Sequence, residues 1–78
     1  MKAYVIIKED RDYNSDVIGV YTDLQLAKDK MLYMYSDFYE DGWQTKFYSD
    51  THFSCKKGGK IWYFFVVAAP YNDTMNYK

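Results

Sequence analysis

The stretch DRDYNSDVIG, residues 10 to 19, sets oxygen donors at alternate positions: Asp10, Asp12, Asn14 and Asp16. An EF-hand loop wraps calcium with that spacing. The same loop needs glycine at its sixth position for a sharp turn and glutamate at its twelfth for bidentate ligation; those places hold Ser15 and Tyr21. The expectation is therefore a solvated loop and no metal site.

His52 and Cys55 lie three apart, the residue types of a nucleophile with its base or of a metal pair. On a strand, positions three apart point to opposite faces, so the two cannot share a proton or a ligand. Cys55 reads as a small core residue. Asp50 and His52 would share a strand face and could hydrogen-bond, but no serine or cysteine stands beside them to be activated. A structural pair is the expectation, and no enzyme activity follows from these residues.

KKGGKIW, residues 56 to 62, could meet nucleic acid, with Lys56, Lys57 and Lys60 on phosphates and Trp62 or Tyr63 stacking on a base. Three lysines make a small footprint, and lysine at a hairpin mouth also protects edges and solubility. Nucleic-acid binding is the alternative reading rather than the main one. Gly58-Gly59 lacks the spacing and following helix of a phosphate loop, and no cofactor is implied.

The chain has 78 residues, 49% hydrophobic and 22% aromatic, enough apolar material for one folded domain but near the size where such domains borrow stability from oligomerisation. Net charge is -1, unevenly spread: between Glu9 and Asp50 ten acids face four bases. The acidic surface is expected around Glu9, Asp10, Asp12 and Asp16. A general phosphate-binding surface is disfavoured. Cys55 is the single cysteine, so no disulfide framework or multi-cysteine zinc site can form within the chain, which fits a reducing cytoplasm. No run approaches the roughly 18 apolar residues of a membrane span, and residues 1 to 8 lack the pattern of a signal peptide.

The periodicities predict the elements that position these residues. KAYVIIK (2 to 8) and DVIGVY (16 to 21) read as strands of an antiparallel hairpin, with Gly19 marking a bulge or close approach. Thr22-Asp23-Leu24-Gln25 fits a capping box opening a helix. Leu24, Ala27, Met31, Met34 and Phe38 make its core stripe, and Leu32, Tyr35 and Tyr39 a shoulder; Asp41-Gly42 ends it. Residues 43 to 55 alternate as a half-buried strand, although a turn at Ser49-Asp50 could split it in two. Gly58-Gly59 suits a type I′ turn. If Lys57 pairs with Lys60, then Cys55 opposes Trp62, Phe53 opposes Phe64 and Thr51 opposes Val66 on the helix-covered face.

The fold predicted is α+β: β-β-α-β-β in two layers, a mainly antiparallel four-stranded sheet with one helix on one face, over residues 1–70, followed by a tail at 71–78. One helix leaves the other sheet face open. Tyr48, Ile61, Tyr63, Phe65 and Val67 fall there, and each large apolar side chain left wet forgoes roughly 1.5 to 3 kcal/mol. A protein partner, most simply a second copy, is expected on that face.

VIGVYTDLQLAKDKM (17 to 31), preceded by KAYVIIKEDRDYNSD, resembles small single-domain proteins of unknown function encoded by bacteriophages and their bacterial hosts. The shared features are a strand, an acidic loop, an IGVY strand and a helix opening with threonine and aspartate. The resemblance covers roughly the first 35 residues, and no catalytic residue transfers with it. It implies a non-enzymatic accessory protein of the host-cell cytoplasm that binds and inhibits a host protein, immune components such as CRISPR effectors included.

Overall fold

The computed structural model describes residues 2–70; the tail expected at 71–78 lies outside the described residues. The elements are β1 (Lys2–Asp10), β2 (Ser15–Tyr21), α1 (Leu24–Glu40), β3 (Gln44–Ser49), β4 (His52–Lys57) and β5 (Lys60–Pro70). The strands form one sheet in the order β2-β1-β5-β4-β3, with every neighbouring pair antiparallel. The α+β class and the single helix layer are as expected. The count of four strands is not: residues 43 to 55 do not run as one strand.

The split is local chemistry. Ser49 Oγ accepts the Thr51 N–H at 3.2 Å and lies 3.2 Å from Thr51 Oγ1, which folds Ser49-Asp50-Thr51 into a turn. Chain beyond it returns as β4, and the element order becomes β-β-α-β-β-β. The glycine turn behaves as read. Gly58 and Gly59 have φ +58 and +84, and Lys57↔Lys60, Cys55↔Trp62 and Phe53↔Phe64 pair across it. Thr51, now in the turn, still accepts the Val66 N–H at 3.0 Å.

The helix begins one residue later than the capping box implied. Asp23 is the N-cap, accepting the Gln25 N–H at 2.8 Å, and the Gln25 amide reaches forward to Asp29 instead of back. A carboxylate there also suits the positive end of the helix dipole better than a threonine hydroxyl. The other end is a complete Schellman closure: Trp43 N–H to Phe38 O, and Gly42 N–H to Tyr39 O with Gly42 at φ +87. The accompanying apolar contact is the edge-to-face pair of Phe38 and Trp43, centroids 5.2 Å apart.

Ile6, Ala27, Met31, Phe53, Cys55 and Phe64 form the buried cluster between helix and sheet. Phe53 and Phe64 stack across β4 and β5 at 4.9 Å, and Trp62 stacks on Trp43 at 4.9 Å. Ala27, Met31, Met34 and Phe38 of the predicted core stripe of α1 pack on this cluster, while Leu24, in the first turn, is half-buried and outside it. The helix shoulder divides: Tyr35 meets Phe47 and Phe53 edge-on, while Leu32 and Tyr39 stay exposed.

Candidate interaction surface

The β1–β2 loop is organised by Asp10. Its Oδ1 accepts the N–H groups of Asp12 and Asn14 at 2.9 Å, and its Oδ2 accepts the Asn14 side-chain amide at 3.1 Å. The Asn14 backbone bond foremost, then its side-chain amide, hold the Asp10 carboxyl below the usual carboxylate range. The Asp10 oxygens thus turn inward onto the loop's own backbone and the Asn14 amide. Asp16 stands 3.9 Å from Lys8, and Glu9 accepts from Ser15 Oγ, so Asp12 is the freest of the four acids. Among the described residues no group of three or more histidines, cysteines or carboxylates could hold a metal ion.

His52 and Cys55 do sit on opposite faces. Cys55 is buried in the core, where burial pushes its thiol up to about 11. His52 lies on the uncovered face, stacked on Tyr48 at 4.5 Å and edge-on to Phe65 at 6.2 Å. Asp50 does not join it. Placed in the turn rather than in a continuous strand, Asp50 points to the helix side and pairs with Lys28 at 3.1 Å. The strand alternation that put Asp50 beside His52 ends at the turn.

The lysine tip does not converge. Lys57 reaches the helix end, donating to the Asp41 carbonyl at 2.8 Å. Lys56, paired with Ile61, lies on the opposite sheet face from the Lys57–Lys60 pair. Trp62 is stacked on Trp43 and covered by the Lys8 ammonium at 4.6 Å, leaving Tyr63 as the exposed-face ring of the two.

The uncovered face spans more than the five residues read from the sequence. Ile61, Tyr63, Phe65 and Val67 lie on it as expected, opposite Lys56, Ser54 and His52 on β4. Tyr48 joins them through its stack on His52 and a 3.4 Å hydrogen bond to Ser54 Oγ. On the other flank, Phe65 pairs with Ile7 and Val67 with Val5, and these pair in turn with Val17 and Val20. Val17 and Val20 extend the face beyond the residues that strand alternation assigns to it. A β-bulge causes this: Ile6 opposes Gly19 but Ile7 opposes Val17, so Ile18 is an extra residue and valines three apart share a face. Gly19 was the available signal. A Cβ there would lie 2.9 Å from Tyr21 Cε2, so the Tyr21 ring lies close over the glycine next to the bulged Ile18.

The face has two halves. Over β2, β1 and one end of β5 it is a band of Val5, Ile7, Val17, Val20, Phe65 and Val67, with Val17, Val20 and Val67 62%, 61% and 42% exposed. Beside it lies an open hollow of about 940 Å³, floored by Ile61, Tyr63 and Phe65 and walled by Arg11, Tyr13 and His52. Tyr13 has φ +66 and is 82% exposed, held at that backbone angle by its N–H bond to the Asp10 carbonyl at 3.1 Å.

No protein-family model matches the chain, and neither the comparison with curated proteins nor that with solved structures gave a match. No helix among the described residues is long and apolar enough to cross a membrane.

Proposed function

We propose that this chain is a non-enzymatic binding protein that pairs with a second copy through the apolar half of its uncovered sheet face. Following the phage-type resemblance, it acts by occluding a host protein, with immune components among the candidates. The observation that supports this reading is the unbroken apolar band from Val17 and Val20 through Val5 and Ile7 to Phe65 and Val67, on which nothing packs among the described residues. Contiguous exposed patches of this kind mark contact surfaces.

Size decides what kind of contact to expect. Even the whole face, five strands spaced about 4.8 Å apart and about six residues long at about 3.4 Å each, measures only about 24 by 20 Å, and the apolar band on β2, β1 and β5 is a part of it. The projected area of the whole face is about 480 Å², below the roughly 800 Å² per partner of a standard interface. Association should therefore be concentration-dependent rather than obligate. Sedimentation velocity across a dilution series tests it: a mass rising from monomer toward dimer supports the reading, and a monomer throughout the series refutes it. The host arm is tested by one host protein co-purifying at high salt, against salt-sensitive retention on an oligonucleotide column, which would favour the lysine hairpin instead.

A further inference from the structure

The outer edge of β3 and the helix shoulder beside it make a second surface, distinct from the face described above. The Val66 N–H bonds to the Thr51 carbonyl at 3.0 Å, so the even-numbered residues of β5 bond toward β4. Their partners on β4 are Phe53, Cys55 and Lys57. Antiparallel alternation then leaves Ser54 and Lys56 to bond β3, opposite Lys46 and Gln44. Thr45 and Phe47 consequently turn their N–H and C=O groups outward, and no strand lies beyond β3 among the described residues.

The helix layer stops short of this edge. Phe47 and Leu32 are 52% and 60% exposed, and with Met31 and Phe53 they border a gap of about 220 Å³ whose polar end is closed by the Lys28–Asp50 pair. Tyr35 meets Phe47 edge-on at 5.5 Å and continues the apolar wall toward Tyr39, which is 67% exposed. An open ladder on one side and an apolar helix shoulder on the other is the arrangement in which an extended peptide adds a strand, its backbone completing the ladder and its alternate side chains filling the groove.

Charge selects the peptide further. The last turns of α1 carry Asp37, Glu40 and Asp41 with no base, at the negative end of the helix dipole. Asp41 is met by Lys57, whereas Glu40, beside Tyr35 and Tyr39, has no ion-pair partner among the described residues. That end of the groove is the Gln44 end of β3.

We propose that the groove between α1 and β3 binds an extended segment of another protein, added antiparallel to β3, with apolar residues opposite Phe47 and Thr45 and a lysine or arginine following them toward Glu40. This contact is separate from the dimer band, so the two can fail independently.

The probe is a capped hexapeptide, Thr-Val-Thr-Val-Thr-Arg, followed by amide NMR on the full chain. Binding should shift the Thr45 and Phe47 amides and slow their hydrogen exchange. N-methylation of the two valines, whose N–H groups would enter the ladder, should abolish binding, and N-methylation of the second and third threonines should leave it intact. Thr45→Pro, which removes an outward N–H without touching the β4 ladder, should weaken binding about tenfold. Glu40→Lys should weaken it by up to about fivefold. The dimer-band variant Val20→Asp should bind as the parent does. The proposal is overturned if no binding is seen at millimolar peptide, if the shifts fall on Val17, Val20 and Val67, or if both N-methylated peptides bind alike. If Thr45→Pro does not fold, the N-methylated pair still decides.

Discussion

The Lys57 ammonium donates to the Asp41 carbonyl oxygen at 2.8 Å and stands 3.8 Å from the Asp41 carboxylate, which ties the β4–β5 hairpin to the last turn of α1. A helix whose own last turn lacks a base is thereby given one from another element. Lys57→Met should lower unfolding free energy by about 0.5 to 1 kcal/mol in urea titrations, a modest figure because the contact is half exposed. Lys56→Met and Lys60→Met should leave the midpoint unchanged. Equal losses at all three lysines would show that the Lys57 contact has no special role.

The apolar band predicts the behaviour of charge insertions. Val20→Asp and Val67→Asp place a carboxylate where a second copy would bury it, while each side chain is exposed enough in the monomer to leave the fold intact. Both should sediment as monomers at concentrations where the parent associates, with unchanged far-UV circular dichroism. An undiminished dimer mass in either variant removes the band from the interface.

Phe53 is 1% exposed and touches both layers, stacking on Phe64 and meeting Tyr35 edge-on at 5.6 Å. Phe53→Ala should cost about 3 to 5 kcal/mol. A domain of this size has only about 4 to 12 kcal/mol to lose. The variant should melt at least about 10 °C below the parent, and Phe53→Leu should lose much less. A Phe53→Ala melt within a few degrees of the parent would contradict this packing.

The buried Cys55 thiol carries a pH signature. Burial raises it to about 11, so folding favours the neutral thiol. Its contribution to stability is fully present below the ordinary thiol value of about 8.5, declines as pH rises toward about 11, and is gone above it. Cys55→Ala should flatten that part of the alkaline decline. At pH 8 a thiol reagent should label Cys55 only as fast as the chain opens, with labelling accelerating through the urea transition; rapid labelling of the folded chain would refute its burial.

The pair Asp50 and His52 shows where sequence reasoning stops. Residue alternation put both on one face, and within β4 the parity does hold for His52, Ser54 and Lys56. Asp50 escaped because the Ser49–Thr51 turn intervenes, and the serine side chain that makes the turn also fits an extended strand. The same limit hid half of the uncovered face. Val17 and Val20 read as opposite faces until Ile18 is known to be the bulged residue, since inserting one residue reverses every parity that follows.

The sequence by itself determined the class of fold, most of the core stripe of α1, the glycine-directed turn at Gly58-Gly59 and the pairing of Phe53 with Phe64. Each of these is written in a local period or in a backbone angle that glycine alone adopts easily, and such signals need no knowledge of distant chain. Only the tertiary structure decided how many strands lie in the sheet, where Asp50 and Lys57 point, and that the apolar band continues onto β1 and β2. Those outcomes depend on which residues oppose one another across strands, and no periodicity along a single segment records its partner's register.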